Sequence, residues 1–434
     1  MIKENQSLSF KQIFIFWYPL AATWLMMAVE NPFLTAIIAR LPGPKFNLAA
    51  FGVAFSFALI AEAPIIMLMS ASNALVTNST AYFKLRRFTY ILNAGITLFL
   101  LIGLIPTVFY FIAEDLVELP HDVARLTHVA LILLIPWPAA IGFRRFCQGI
   151  LIRSNLTRRV AYGTIIRLTT MTGAAIVLSS LKLPGAYVGA GALSTGVTCE
   201  SIASRLMVNS SIKKLLRQDN IKEKPLSYKF IAKFYYPLAL MSFLSLGIHP
   251  FIAFFLGRSR FAIESLAVLP VINALVFIFR GLSISYLEVV VALLGKKNEK
   301  YAPLRNFAWI LGIVLVGILA LVAFTPLAAV WFRQVAGLSA ELARFSYLPT
   351  QVSTILPGLT LLLSLQHGIL VNSKHTGPIT WATIIEVGVM LVVLFISISY
   401  LDAIGIIAAA FAYTLGRLAA NLYLFPYQFK AVGG

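Results

Sequence analysis

"QGILIRSNLT" at Gln148–Thr157 and "HGILVNSKHT" at His367–Thr376 are one segment written twice. Outward from this pair the chain falls into register with itself. Pro138 meets Pro357 on one side, and "TIIR" at Thr164–Arg167 meets "TIIE" at Thr383–Glu386 on the other. Nearer the N-terminus the register shifts by one residue. There "FWYPLA" ending at Ala21 meets "FYYPLA" ending at Ala239, Pro32-Phe33 meets Pro250-Phe251, Arg40 meets Arg258, and Leu48-Ala49 meets Leu266-Ala267. A single inserted residue over so long a match marks an internal duplication. The last apolar segment of each copy matches poorly.

The repeated unit is membrane-like in composition. The chain has 434 residues, 59% hydrophobic and 12% charged, with a mean hydropathy of +0.87. Soluble domains carry about 25% charged residues. This chain has too few charges to face water over its surface, so its exposed side must face lipid. Long apolar runs favour helices, which satisfy their own backbone hydrogen bonds in lipid. Barrel strands would alternate over about ten residues instead. Runs near the spanning length of about 20 residues fall at 14–39, 48–77, 88–113, 126–152, 160–181 and 184–208, then at 232–256, 264–294, 306–332, 345–371, 379–400 and 403–426. The expected fold is therefore all-α and polytopic, with twelve transmembrane helices in two six-helix lobes. An even number of spans per copy makes both copies enter from the same side, so the pseudo-two-fold axis runs along the membrane normal. The expected division is an N-terminal lobe at 1–209, a cytoplasmic basic linker at 210–231 and a C-terminal lobe at 232–434.

Net charge is +19. In a soluble protein that would suggest nucleic acid, but here the positive-inside rule explains it. With the N-terminus inside, the inner loops hold Lys3, Lys11, Lys84, Arg86, Arg87, Arg153, Arg158, Arg159, the linker lysines including Lys222 and Lys224, then Lys296, Lys297, Lys300, Arg305, Lys374 and Lys430. The outer loops hold far fewer. The expectation is a multi-pass protein of the cytoplasmic (plasma) membrane, monomeric, with both termini cytoplasmic. Met1–Lys11 is polar and the run after it too long for a signal h-region, so the first span is expected to stay in the mature chain. Trp17, Tyr18, Tyr235 and Tyr236 read as interfacial anchors. The two cysteines, Cys147 and Cys199, read as small apolar residues. No P-loop, GxSxG or HExxH motif occurs, so no enzyme activity and no cofactor are expected.

The two six-helix copies, the paired "YPLA" first helices and the "QGILIRS"/"HGILVNS" ends of the fourth resemble the MOP flippase superfamily. That group includes the multidrug and toxic compound extrusion (MATE) transporters, polysaccharide-lipid flippases and progressive ankylosis proteins. "PFIAFFLGRSRFAIESLAVLPV" at Pro250–Val271 looks most like the last branch. The resemblance implies two lobes that rock around a central cavity and export a large or amphipathic substrate. It also implies N-terminal-lobe carboxylates that bind a proton or sodium ion, and, in the progressive ankylosis branch, outward movement of anions such as pyrophosphate, nucleotide or citrate.

An ionisable side chain inside a span is costly and is a functional candidate by default. Glu30 lies two residues before Pro32, whose missing N–H frees a carbonyl; together they suit a cation. Glu30 and Glu62 are the candidate ion-coupling residues for H+ or Na+, although MATE transporters usually place Asp there. Arg144, Arg145, Arg205, Arg280 and Arg417 are the candidate substrate residues, because guanidinium forks fit phosphate and carboxylate. In the repeat Glu62 meets Arg280, and Arg167 meets Glu386, so equivalent positions carry opposite charges. With Glu200 and Glu288 these are candidates for inter-lobe pairs that gate transport; a fixed pair within one lobe is the other reading. The leading functional expectation is a secondary-active transporter or flippase exporting an anionic solute or lipid-linked anion by alternating access, its partners being the bilayer and that substrate, with no nucleic acid. The alternatives are a proton- or sodium-coupled multidrug antiporter of the same fold and, from another class, a membrane-embedded transferase.

Overall fold

The computed structural model describes residues 8–154, 156–217, 227–295, 298–373 and 377–433. The middle of the expected linker, with Lys222 and Lys224, lies outside the described residues, as do Lys3, Lys296, Lys297 and Lys374. Twelve helical spans follow one another. The first copy comprises α1 (Phe10–Ala39), α2 (Pro44–Glu62, resumed as Leu68–Leu75), α3 (Ser79–Gly103), α4 (His121–Arg153), α5 (Thr157–Ser180) and α6 (Gly185–Arg217). The second comprises α7 (Tyr228–Gly257), α8 (Ala262–Leu293), α9 (Tyr301–Phe324), α10 (Ala340–Asn372), α11 (Gly377–Ser399) and α12 (Gly405–Gly433). Among the described residues, ten spans are long and apolar enough to cross a membrane; α6 and α7 complete the twelve. Large side chains such as Phe99 on α3 and Ile313 on α9 are more than 60% exposed. That is the pattern of a lipid-facing surface, because water would oppose it.

Several spans are interrupted where the sequence dictates. Pro32 cannot donate to Ala28, and α1 breaks between Ala28 and Glu30. In α2 the first stretch ends at Glu62, two residues before Pro64. In α8 the helix is interrupted at Ser285, between Ile284 and Tyr286. Span α4 turns between Leu133 and Pro136, and α10 between Val352 and Leu356, each just ahead of the paired prolines Pro138 and Pro357.

The quoted repeat marks a tight crossing in each copy. A Cβ on Gly149 would sit 1.8 Å from the Ser72 hydroxyl and 2.3 Å from the Met69 carbonyl oxygen, so α4 lies backbone to backbone on the Leu68–Leu75 stretch. Its counterpart Gly368 meets Val290 of α8 at 2.6 Å. The first turns of α6 and α12 are tied alike. Asn47 Oδ1 accepts from the Ala186 N–H at 2.9 Å, and the equivalent Ser265 hydroxyl accepts from Ile406 at 3.2 Å.

The chain forms two compact units. One runs from Ile37 to Gly257; the other joins the residues up to Ala36 with those from Arg258 onward. The expected division at 1–209 and 232–434 follows the repeat, and the compact units depart from it at the first span of each copy. The physical reason is burial. Ile13, Trp17 and Ala21 of α1 sit in a core with Tyr286, Val289, Val290 and Phe307, and Trp17 Nε1 donates to Ser285 Oγ at 2.9 Å. In the other unit Ile231 of α7 shares a core with Tyr82, Leu85 and Phe146, and the Tyr235 hydroxyl donates to the Pro64 carbonyl at 2.5 Å. Trp17 and Tyr235 are repeat equivalents, as are Ile13 and Ile231. Each ring donates to the discontinuity of a second span. The reading of all four aromatics as interfacial anchors is therefore corrected: Trp17 and Tyr235 are buried, while Tyr18 and Tyr236 are exposed.

Candidate functional site

Each unit holds one buried cluster of charge, built on matching helices. In the unit from Ile37 to Gly257 the centre is Glu200 on α6, wholly buried. Its carboxylate accepts from Arg144 Nη1 on α4 and from Gln148 Nε2, one turn further along α4, at 3.2 Å. Arg167 Nε on α5 lies 3.5 Å from the same carboxylate. The α5–α6 hairpin closes tightly enough for this because its contacts are small. A Cβ on Gly196 would come within 3.0 Å of the Arg167 carbonyl oxygen, and one on Gly163 within 3.3 Å of Glu200 Oε1. Glu62, at the end of the first stretch of α2, is buried and lies in the field of Arg145, Arg144 and Arg167. Arg145 has no carboxylate within ion-pair distance among the described residues. Its Nε is buried without a hydrogen-bond acceptor, and its Nη1 reaches only the Met69 thioether, at 3.7 Å.

In the other unit Arg417 on α12 donates to Glu386 on α11 at 2.9 Å. Arg280 on α8 lies in the field of Arg417, Tyr413 and Glu386, and its buried Nε has no acceptor. His367 on α10 is the counterpart of Gln148; its Nε2 is buried without a partner, and Arg417 acts on it electrostatically.

The two clusters are mirror images in sign. The fifth and sixth spans of a copy pair Arg167 with Glu200 in one unit and Glu386 with Arg417 in the other. The second span carries Glu62 in one and Arg280 in the other. The totals nevertheless agree: three arginines face two glutamates in the first cluster, and two arginines face one glutamate in the second. Each is left with a surplus of one guanidinium. Placing a charge in a low-dielectric interior costs several kcal/mol unless it is paired and hydrogen-bonded, so a surplus built twice is a feature to be explained by function.

The match to known proteins now bears on the chain. Residues 19–177 match the MatE family profile. No curated protein sequence matches significantly. Among solved structures, the inward-facing conformation of a multidrug resistance MATE family transporter of the MOP superfamily matches with a TM-score of 0.76 at 15% identity, over 95% of this chain and 98% of that one. The lipid II flippase MurJ in an inward closed conformation matches at 0.70 and 14% identity, over 95% and 87%. A MOP superfamily transporter from Pyrococcus furiosus, described as having a binding pocket of reverse polarity, matches at 0.69 and 16% identity, over 98% and 96%. The chain has the MATE fold. The twelve-helix arrangement expected from the repeat fits it, and nothing in these likenesses singles out the progressive ankylosis branch.

On the MATE fold the residues singled out from the sequence separate into groups. Arg144, Arg167 and Glu200 are brought together, and so are Glu386 and Arg417. Arg167 and Glu386 thus each have an opposite charge inside their own unit. Glu62 and Arg280 belong to different units, and each has charged neighbours in its own. Arg205 stands apart from the cluster: its Nη1 reaches along its own helix to Asn209 Oδ1 at 3.3 Å. Glu288 is exposed on α8 and makes no ion pair among the described residues. Glu30 is buried at the break of α1. Sequence reasoning passed over Gln148 and Tyr413. A usable signal was present for the pairs. Arg167 and Glu200 lie equally far from the turn of one hairpin, as do Glu386 and Arg417, roughly 20 Å along each arm at 1.5 Å per residue.

Proposed function

We propose that this MATE-fold chain is a secondary-active transporter or flippase that moves an anionic solute or a lipid-linked anion by alternating access. The observation that carries the reading is the guanidinium surplus in both buried clusters. Arg145 and Arg280 are its free members, and they are the candidates to meet the anion; Arg144 and Arg417 are engaged with Glu200 and Glu386. The reverse polarity named for the Pyrococcus furiosus transporter of the same fold and the lipid-linked cargo named for the flippase support the same direction. Glu30 and Glu62 are the carboxylates proposed to couple transport to H+ or Na+. The loop charge bias supports an orientation in the cytoplasmic membrane with both termini inside.

The test is reconstitution into proteoliposomes with three probes: citrate, a fluorescent polyprenyl-diphosphate lipid, and ethidium as the cation. An imposed pH or sodium gradient drives each. Movement of citrate or of the lipid is expected, falling about tenfold or more in Arg145→Ala and Arg280→Ala, the loss expected for one charge-assisted contact. Movement of ethidium alone, or anion movement unchanged in both variants, refutes the proposal and favours a multidrug antiporter.

A further inference from the structure

The unit containing Arg280 has a small, partly open cavity between α8, α10 and α12, with room for about one water-sized occupant. Its walls are mostly apolar, with Leu269, Ile272 and Ile406 among them, and its polar groups include Arg280, Asn273 and Tyr413. Asn273 and Arg280 stand two helical turns apart on one face of α8. A long side chain on a helix leans toward the N-terminus, which directs the Arg280 guanidinium back toward Asn273. Neither side chain has a hydrogen-bond partner among the described residues, and the Arg280 Nε is sealed from solvent. Among the described residues the carboxylate near Arg280 is Glu386, and it is held by Arg417 at 2.9 Å.

An arginine does not shed its proton in a protein, so the charge at this cavity stays. A neutral water cannot offset it; a small monovalent anion can, where the flexible side chains at the cavity give by a few tenths of an ångström. We infer that the cavity lined by Arg280, Asn273 and Tyr413 is a binding site for a single small inorganic anion, a halide. Guanidinium and amide N–H groups would donate to the ion. The site belongs to one copy only. The equivalents of Asn273 and Tyr413 are Phe55 and Leu193, and that of Arg280 is Glu62. Duplication therefore supplied the cavity walls, and the donors were acquired in the second copy alone. The inference shares Arg280 with the proposed transport function, but it concerns binding in the resting protein and stands or falls without any transport measurement.

The experiment is thermal unfolding of the purified full chain in detergent, with chloride titrated against gluconate at constant ionic strength. A saturable rise of roughly 2–4 °C is expected for wild type at about ten times Kd, and an equal rise for Arg305→Gln, an exposed arginine that bonds Asn306. Arg280→Gln should show no rise, and Asn273→Ala should need several-fold more chloride. Absence of a rise in wild type, or an equal rise in Arg280→Gln, overturns the site. Should Arg280→Gln fail to fold, an unchanged chloride midpoint in Asn273→Ala overturns it equally.

Discussion

At the scale of single residues, the informative comparison is between two ion pairs at the same place in two copies. Glu200 holds Arg144 and Arg167 at once and is fully buried; Glu386 holds Arg417, with both side chains 14% exposed. Removing one partner of a buried pair strands the other, at a cost of about 3–5 kcal/mol. Glu200→Gln should therefore lower the unfolding temperature in detergent more than Glu386→Gln does. Exchanging the simpler pair, as Glu386→Arg with Arg417→Glu, should restore the stability lost in either single variant, because the other copy shows that this position of the fold accepts the opposite polarity. A double variant no more stable than the singles would contradict that. Which charges touch was only half legible from the sequence. The duplication aligned Arg167 with Glu386 because they occupy the same position, and equivalence by repeat is not proximity. Proximity came from the hairpin, whose connection of a few residues forces neighbouring arms together at equal depth. Glu200 and Arg417 escaped the alignment because they lie in the sixth spans, where the copies have diverged and the partners are offset by about one turn.

At the scale of helices, the repeated "QGILIRS"/"HGILVNS" segment is a packing device. The glycine after Gln148 and His367 lets the fourth span of each copy lie against the second half of a second span. The two glycines are not equally demanding. At Gly149 a methyl group would strike a carbonyl oxygen of the backbone, which cannot swing aside; at Gly368 it would strike the Val290 side chain. Gly149→Ala is expected to destabilise by about 1–3 kcal/mol, the usual cost of overpacking, and Gly368→Ala by less. Gly173 and Gly388, with nothing near a new Cβ, serve as controls and should tolerate alanine. Fluorescence-detected size-exclusion after graded heating reads all four. Equal behaviour of Gly149→Ala and Gly173→Ala would show that the crossing is looser than described. The helix count and the break at Pro32 were legible, since apolar length and proline chemistry are local. The roles of Trp17 and Tyr235 were not. Adjacent aromatic residues look alike in a sequence, yet neighbours on a helix point about 100° apart, so Trp17 and Tyr235 are buried where Tyr18 and Tyr236 are exposed.

At the scale of the whole chain, the compact units exchange the first spans of the two copies. The duplication supplies the rule by which they do so. Ile13 and Trp17 are buried on residues of the second copy, and Ile231 and Tyr235 on residues of the first. The equivalent positions in each copy thus make equivalent contacts, with opposite copies as hosts. The polypeptide passes from one unit to the other near Ala36 and again near Gly257, places that match in the repeat. A first span held by hydrogen-bonding rings and a shared core should stay with its host when the covalent path is opened. In a background lacking Cys147 and Cys199, Trp17→Cys and Ser285→Cys should be joined by a short bifunctional maleimide. Cleavage at a protease site engineered into 218–226 should then leave the two fragments linked on a denaturing gel. Fragments that separate after treatment, while a Tyr235→Cys and Pro64→Cys pair links them across the same cut, would place α1 with the first copy and leave the exchange one-sided.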